Sequence, residues 1–165
     1  MADQDKKPAR LAVAAALATA LAIPAEGVRQ VAYYDPPGIL TACRGHTGAD
    51  VHAGVRYSLE QCDRWLTDDM RAAVAAVDKC APGLPPEVLA AFSDAAFNAG
   101  PTIACDTKTS TAARYLHAGT GRDLAAACNQ LARWDKAHVA GVLVALPGLT
   151  RRRAAERELC LKGLT

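Results

Sequence analysis

Glu26, Asp35 and Thr41 place two carboxylates and a hydroxyl at successive offsets of nine and six residues, each on a different kind of segment. Glu26 closes an apolar run. Asp35 stands beside Pro36 and Pro37. Thr41 ends Ile39-Leu40-Thr41, the one β-favourable run in a stretch rich in Pro and Gly. A helix leading into a hairpin would gather these three around one cleft. Two carboxylates in unlike surroundings suit cleavage of a glycosidic bond. An apolar setting keeps one protonated to serve the leaving oxygen, while the other stays ionised near the developing oxocarbenium charge. On spacing alone, though, two acids nine residues apart are more often solvated surface groups than a catalytic pair.

The segment that must carry Glu26 is unusual. Lys6 to Arg10 is basic, and Leu11 to Ile23 is 13 residues without a charge, more than half of them alanine. A helix of that length spans roughly 20 Å against a hydrocarbon core of about 30 Å. Extending it over Pro8 to Arg10 and Pro24 to Ala25, with Arg10 snorkelling, brings it near to spanning. Such an alanine-rich run is a weak anchor. Ala20-Leu21-Ala22 also fits the small-x-small pattern of a signal-peptidase site. Cleaved signal, weak uncleaved anchor and buried core helix all remain open.

The rest of the chain predicts mostly helices in an α+β fold. Alanine is abundant and aromatics make up 5% of 165 residues, a length that suits one domain. Ser58-Leu59-Glu60-Gln61 is a capping-box pattern opening a helix to about Val77. Pro86 opens another that runs to Asn98, and further helices are expected at about 110–118 and 122–134. Residues 139–148, VAGVLVALPG, read as a buried helix or part of a connection. A last helix is expected after Thr150 as N-cap. That start puts Arg151, Arg152 and Arg153 in a first turn, where the helix dipole disfavours cations, so a compensating carboxylate or a solvated face is required.

Charge and cysteine usage exclude several classes. Nineteen Lys+Arg against 17 Asp+Glu leave a net charge of +2, with no basic excess of the kind nucleic acid demands. Cysteines 43, 62, 80, 105, 128 and 160 contain no C-x-x-C pair, and His46, His52, His117 and His138 are scattered. Neither a metal site nor a redox motif is indicated. Six widely spaced cysteines suit structural disulfides in an oxidising compartment, or buried free thiols.

The stretch Glu26 to Gly48, EGVRQVAYYDPPGILTACRGHTG, resembles the signature of the phage-type lysozymes, glycoside hydrolase family 24. The likeness continues in order through Phe97 to Gly100, Ser110 to Gly119, Arg133-Trp134 and Gly148 to Cys160. It implies a two-lobed, predominantly helical fold with a small β-hairpin or sheet next to the cleft. It also implies a muramidase that cuts the β-1,4 bond between N-acetylmuramic acid and N-acetylglucosamine of bacterial peptidoglycan, leading to host cell lysis. Glu26 would be the general acid, and Asp35 and Thr41 would stabilise charge and position water, with inversion at the anomeric carbon. Inversion calls for carboxyls roughly 6.5–9.5 Å apart. The resemblance implies no cofactor and no metal. It also suggests that His46 braces the acid or the hairpin, that Asn98 faces the glycan groove or ends its helix, and that Arg152 pairs with Glu26.

The chain departs from the family pattern T-x-G-Y-G-H-T by reading TACRGHT, which leaves Cys43 in need of a partner. Cys43–Cys62, Cys80–Cys105 and Cys128–Cys160 are expected as neighbours along the chain that close local loops, out of about 15 possible pairings. Residues 135–147 are a few longer than usual. A lytic transglycosylase and a non-catalytic glycan-binding module are the alternative functions.

A weak N-terminal run followed by a lysozyme-like chain with many cysteines resembles the signal-anchor-release branch of endolysins. Cleavage after Ala22 would leave Glu26 fourth in the mature chain, with no helix to hold it. The resemblance implies an anchor segment over residues 1–25 and a catalytic domain over 26–165. The enzyme would be tethered to the inner membrane and then released to the periplasm as a monomer. Residues 1 to 42 contain no cysteine, so a thiol inside the anchor is not the control.

Overall fold

The whole apolar run is one helix, α1 (Lys6–Ala25), in a computed structural model that describes residues 6–35 and 38–165. Pro36 and Pro37, and the first five residues of the expected anchor, lie outside the described residues. α1 is long and apolar enough to cross a bilayer, yet here it packs on the protein's own helices. Ala14, Ala18 and Ala22 recur every fourth residue and, with Ala15, form its buried stripe. Alanine has no side chain beyond Cβ, so such a stripe lets two helix backbones approach closely. The partner α3 (Pro86–Ala99) offers Ala90, Ala91 and Ala95, all fully buried.

The chain then forms a small antiparallel sheet: β1 (Arg29–Tyr34), β2 (Leu40–Cys43) and β3 (His46–Thr47), in that order. β1 starts before Asp35, so the sheet takes in more chain than the Ile39-Leu40-Thr41 run. Thr41 is registered with Tyr33 on one side and Thr47 on the other. α2 (Leu59–Cys80) follows, with the Ser58 hydroxyl accepting from the Gln61 N–H at 3.1 Å as the capping pattern predicts. α2 joins the two lobes because it feeds both cores. Its Cys62 and Trp65 pack with Ala42, Cys43 and Val51 under the sheet, while Leu66, Met70, Val74 and Val77 enter the helical core.

The helical lobe is completed by α3, α4 (Thr102–Cys105), α5 (Thr111–Ala118), α6 (Gly121–Gln130) and α7 (Pro147–Lys162). α2 and α3 run slightly past the expected ends, and the helix expected over 122–134 gives way to a 3₁₀ turn at Leu131–Trp134. Residues 139–148 are not a buried helix. β4 (Lys136–Val139) and β5 (Val142–Ala145) make a hairpin turned at Ala140 and Gly141, both at positive φ, as a tight two-residue hairpin loop requires. α7 begins at Pro147, where a missing N–H costs nothing, and Thr150 is not its cap. The Thr150 N–H already bonds to the Leu146 carbonyl, and its hydroxyl donates to Asp135 at 3.0 Å. The three arginines therefore lie beyond the first turn, and the dipole penalty expected for them is relieved.

Disulfides join Cys43 to Cys62, Cys80 to Cys105 and Cys128 to Cys160. They tie β2 to α2, α2 to α4, and α6 to α7. Each expected pair is brought to bonding distance.

Candidate active site

Glu26 is the residue after α1, and its N–H still bonds to the Ala22 carbonyl at 2.8 Å. Arg44 closes the same helix end by donating from Nη1 to the carbonyls of Glu26 and Ile23, at 3.1 and 3.3 Å. A cation on free carbonyls at a helix C-terminus is favourable both as a hydrogen-bond donor and against the dipole. Arg44 is one of the two departures from the family pattern, and Cys43 is the other. Cys43 sits at φ 62, a left-handed backbone that explains why glycine is usual there.

Asp35 and Thr41 face each other across the β1–β2 turn. Gly38, at φ 84, lets the chain reverse so that the Ile39 N–H donates to Asp35 Oδ1 at 2.7 Å. The Thr41 hydroxyl lies 3.4 Å from Asp35 Oδ2 and 3.1 Å from the Ile39 carbonyl. Thr41 is buried, and Asp35 is half-buried. The structure thus brings Asp35 and Thr41 together, while Glu26 is held separately from the helical lobe.

Arg152 does that holding. Its Nη1 pairs with Glu26, whose side chain is 24% exposed, while Nε and Nη2 grip Asp94 at 3.0 and 2.7 Å. Burial works against the charge on Arg152, but Asp94 first and Glu26 second outweigh it and hold the guanidinium more firmly protonated than usual. One turn on, Glu156 is fully buried between Arg153, at 2.8 Å, and Arg152, at 3.5 Å. Burial, and then a hydrogen bond with Asp94, pushes the Glu156 carboxyl up to about 10. Arg153 donates to Asn98 at 2.8 Å, so the Asn98 oxygen is engaged with α7 at the end of α3.

His46 braces the hairpin rather than an active-site acid. Nδ1 meets Asp69 on α2 at 2.8 Å, Nε2 meets Asp50 at 3.2 Å, and the ring stacks on Trp65 with centroids 4.2 Å apart. Asp94 and Glu156 were not foreseen from the sequence. Asp94 had a visible signal, a lone acid in the apolar run Val88 to Phe97. Glu156 had a weaker one, an acid three and four residues beyond two arginines.

A two-lobed α+β fold with acidic side chains contributed from a helix end and a β-turn defines the lysozyme class of glycoside hydrolases. The chain belongs to the phage lysozyme family, whose model matches residues 24–156. The SAR-endolysin of Enterobacteria phage P21 is 33% identical over 139 residues, covering 84% of this chain and 78% of that protein. Among solved structures, the muramidase domain of SpmX from Asticaccaulis excentricus superposes with a TM-score of 0.75 at 28% identity, over 87% of this chain and 94% of that one. The active form of the P1 phage endolysin Lyz superposes at 0.71 and 26% identity, over 90% and 85%. The protein is a lysozyme-class hydrolase of the phage endolysin kind, from a family that acts on peptidoglycan.

Proposed function

We propose that the protein is a muramidase that hydrolyses the β-1,4 bond between N-acetylmuramic acid and N-acetylglucosamine, with Glu26 as general acid and Asp35 and Thr41 as the water-handling pair. The observation that carries this reading is the division of the site. Glu26 is fixed from the helical lobe by Arg152, and Asp35 and Thr41 are fixed together on the sheet. Glu26 protonates the leaving oxygen. Asp35, both of whose oxygens accept hydrogen bonds, faces the developing positive charge and takes a proton from water oriented by the Thr41 hydroxyl. Water attacking from the side opposite the leaving group gives inversion. Neither a metal nor a cofactor has a step in this scheme.

Zymography on cell-wall substrate with wild type and Glu26→Gln tests the assignment. Loss of clearing in the variant is expected, and equal clearing removes Glu26 from the mechanism. A product lighter by one water, the anhydro sugar, would replace hydrolysis with lytic transglycosylation.

The N-terminal segment, residues 1–25, supports a second state in which the enzyme is tethered to the inner membrane before acting as a monomer in the periplasm. While Leu11 to Ile23 lies in lipid, Arg44 has no helix end to close and Arg152 has no Glu26 to hold. The alanine stripe makes the segment weak enough to leave the bilayer and small enough to pack on α3. Membrane fractionation before and after collapse of the membrane potential, with intact mass, tests this. An active soluble form lacking its first 22 residues would overturn it.

A further inference from the structure

After Glu26, a second and a third carboxyl join the contacts of Arg152 and Arg153: Asp94 and Glu156. Both are fully buried, on α3 and α7, and Arg152 Nε lies 3.0 Å from Asp94 and 3.5 Å from Glu156. Were all groups ionised, three carboxylates (Glu26, Asp94, Glu156) would face two guanidiniums (Arg152, Arg153), leaving one negative charge in excess with Asp94 and Glu156 both fully buried. Such a charge is costly, and a buried group neutralises rather than bears it. Although Arg153 Nη2 lies 2.8 Å from Glu156 Oε1, neither Glu156 oxygen accepts a well-formed hydrogen bond and Arg153 Nε and Nη1 are likewise without a partner, so this contact does not satisfy an ionised pair. A proton on Glu156 would let it donate to Asp94, the carboxyl whose hydrogen bond contributes to the upward push.

We propose that Asp94 and Glu156 act as one positioning pair, in which a single proton carried by Glu156 leaves Asp94 as the anion of the pair, fixing two edges of Arg152 and leaving the third edge for Glu26. Asp94 then does two things. It aims Nη1 at the catalytic carboxyl, and its own charge offsets most of that of the guanidinium that Glu26 meets. Arg44 touches Glu26 only through the main-chain oxygen, so Arg152 is the cation that acts on the carboxyl among the described residues. The groups facing the pair are Glu26 from the end of α1, Asn98 on α3, and Arg152 and Arg153 on α7. This inference rests on Glu26 being the proton donor, which the Glu26→Gln zymogram tests separately.

Carboxyl-carbon NMR titration of the wild-type protein reads the pair directly and independently of activity. Glu156 is expected to remain protonated at neutral pH, and an ionised Glu156 there overturns the proposal. Kinetics supply the second arm. Asp94→Asn exposes Glu26 to the full charge of Arg152, which favours the carboxylate form. The alkaline limb of the kcat profile is expected to move down by about one pH unit, an approximately tenfold loss on that limb, with KM within about twofold. Glu156→Gln, which keeps a neutral donor toward Asp94, should leave the limb in place. A folded Asp94→Asn protein with an unmoved limb, or a Glu156→Gln protein that shifts as far as Asp94→Asn, overturns the proposal. Should Asp94→Asn not fold, the titration and Glu156→Gln still decide.

Discussion

Arg10 and Asp78 meet across 68 residues of chain, with Nη2 2.6 Å from Oδ1, at the point where α1 begins and α2 nears its end. Asp78 is almost wholly buried, and Arg10 also donates to the Leu84 carbonyl at 2.9 Å, while the exposed Lys7 adds a second cation at 3.1 Å. Under the proposed membrane tethering these basic residues would flank the lipid-embedded run, and the contact would belong to the docked state alone. Arg10 and Asp78 together act as a clasp on the outer end of α1, as Arg44 does at the inner end.

Removing the clasp should loosen the helix that carries Glu26. Arg10→Met leaves Asp78 a buried carboxylate with only Lys7 to answer it, and we expect a loss of about 3 kcal/mol. Lys7→Met, at an exposed partner, should cost less than about 1 kcal/mol. Urea denaturation of the soluble enzyme measures both, and equal losses would contradict the clasp.

Stability should respond to pH from two sides. Burial opposes the charge on Asp78, but Arg10 and then Lys7 hold it below the usual carboxylate range. Its contribution is therefore present above the unfolded value of about 3.9 and is lost as pH falls through the folded one. Glu156, pushed up to about 10, has the opposite sign. Its contribution is complete below about 4.3 and drains away as pH rises toward the folded value. Melting temperature against pH should flatten on the acid side in Asp78→Asn and on the alkaline side in Glu156→Gln.

Cys43 offers a test in which backbone and disulfide oppose each other. The bond to Cys62 closes a separation of 19 residues, and losing it should cost about 3 kcal/mol. The left-handed backbone at Cys43 taxes any side chain there by about 1 kcal/mol. With Cys62→Ala in both, Cys43→Gly should be more stable than Cys43→Ala by about that amount. Thermal melts of the two double variants decide it, and the reverse order would refute the backbone argument.

Thr41 can be separated from the fold it sits in. Thr41→Val keeps the shape and removes the hydroxyl that lies between Asp35 and the Ile39 carbonyl. Turnover should fall by a factor of about 10² while the melting temperature changes little. A variant with full turnover would leave Asp35 acting without it.

Much of the architecture was legible because local rules produce it. The Ser58 cap, Pro86 at a helix start and the helical periodicity of the central chain all act within a turn or two, and all reappear in α2 and α3. The hairpin at Lys136–Ala145 was not legible, because a short apolar run looks alike in a strand and in a buried helix. The start of α7 was misplaced because Thr150 is a good cap in isolation, and only Asp135, brought in from the 3₁₀ turn, shows where its hydroxyl goes.

The sequence by itself determined the ingredients of the candidate site: Glu26, Asp35 and Thr41 with their spacing, an apolar run ending at the first of them, and six cysteines close enough in pairs to close local loops. Tertiary structure alone decided how Glu26 is held. Arg152 is 126 residues from Glu26 and 58 from Asp94, and burial between α3 and α7 is what pushes the Glu156 carboxyl up. Spacing can reveal which groups are present. The sharing of one guanidinium between two carboxyls, and the contact of one of these with a third, depend on distance and dielectric, which exist only once the chain has folded.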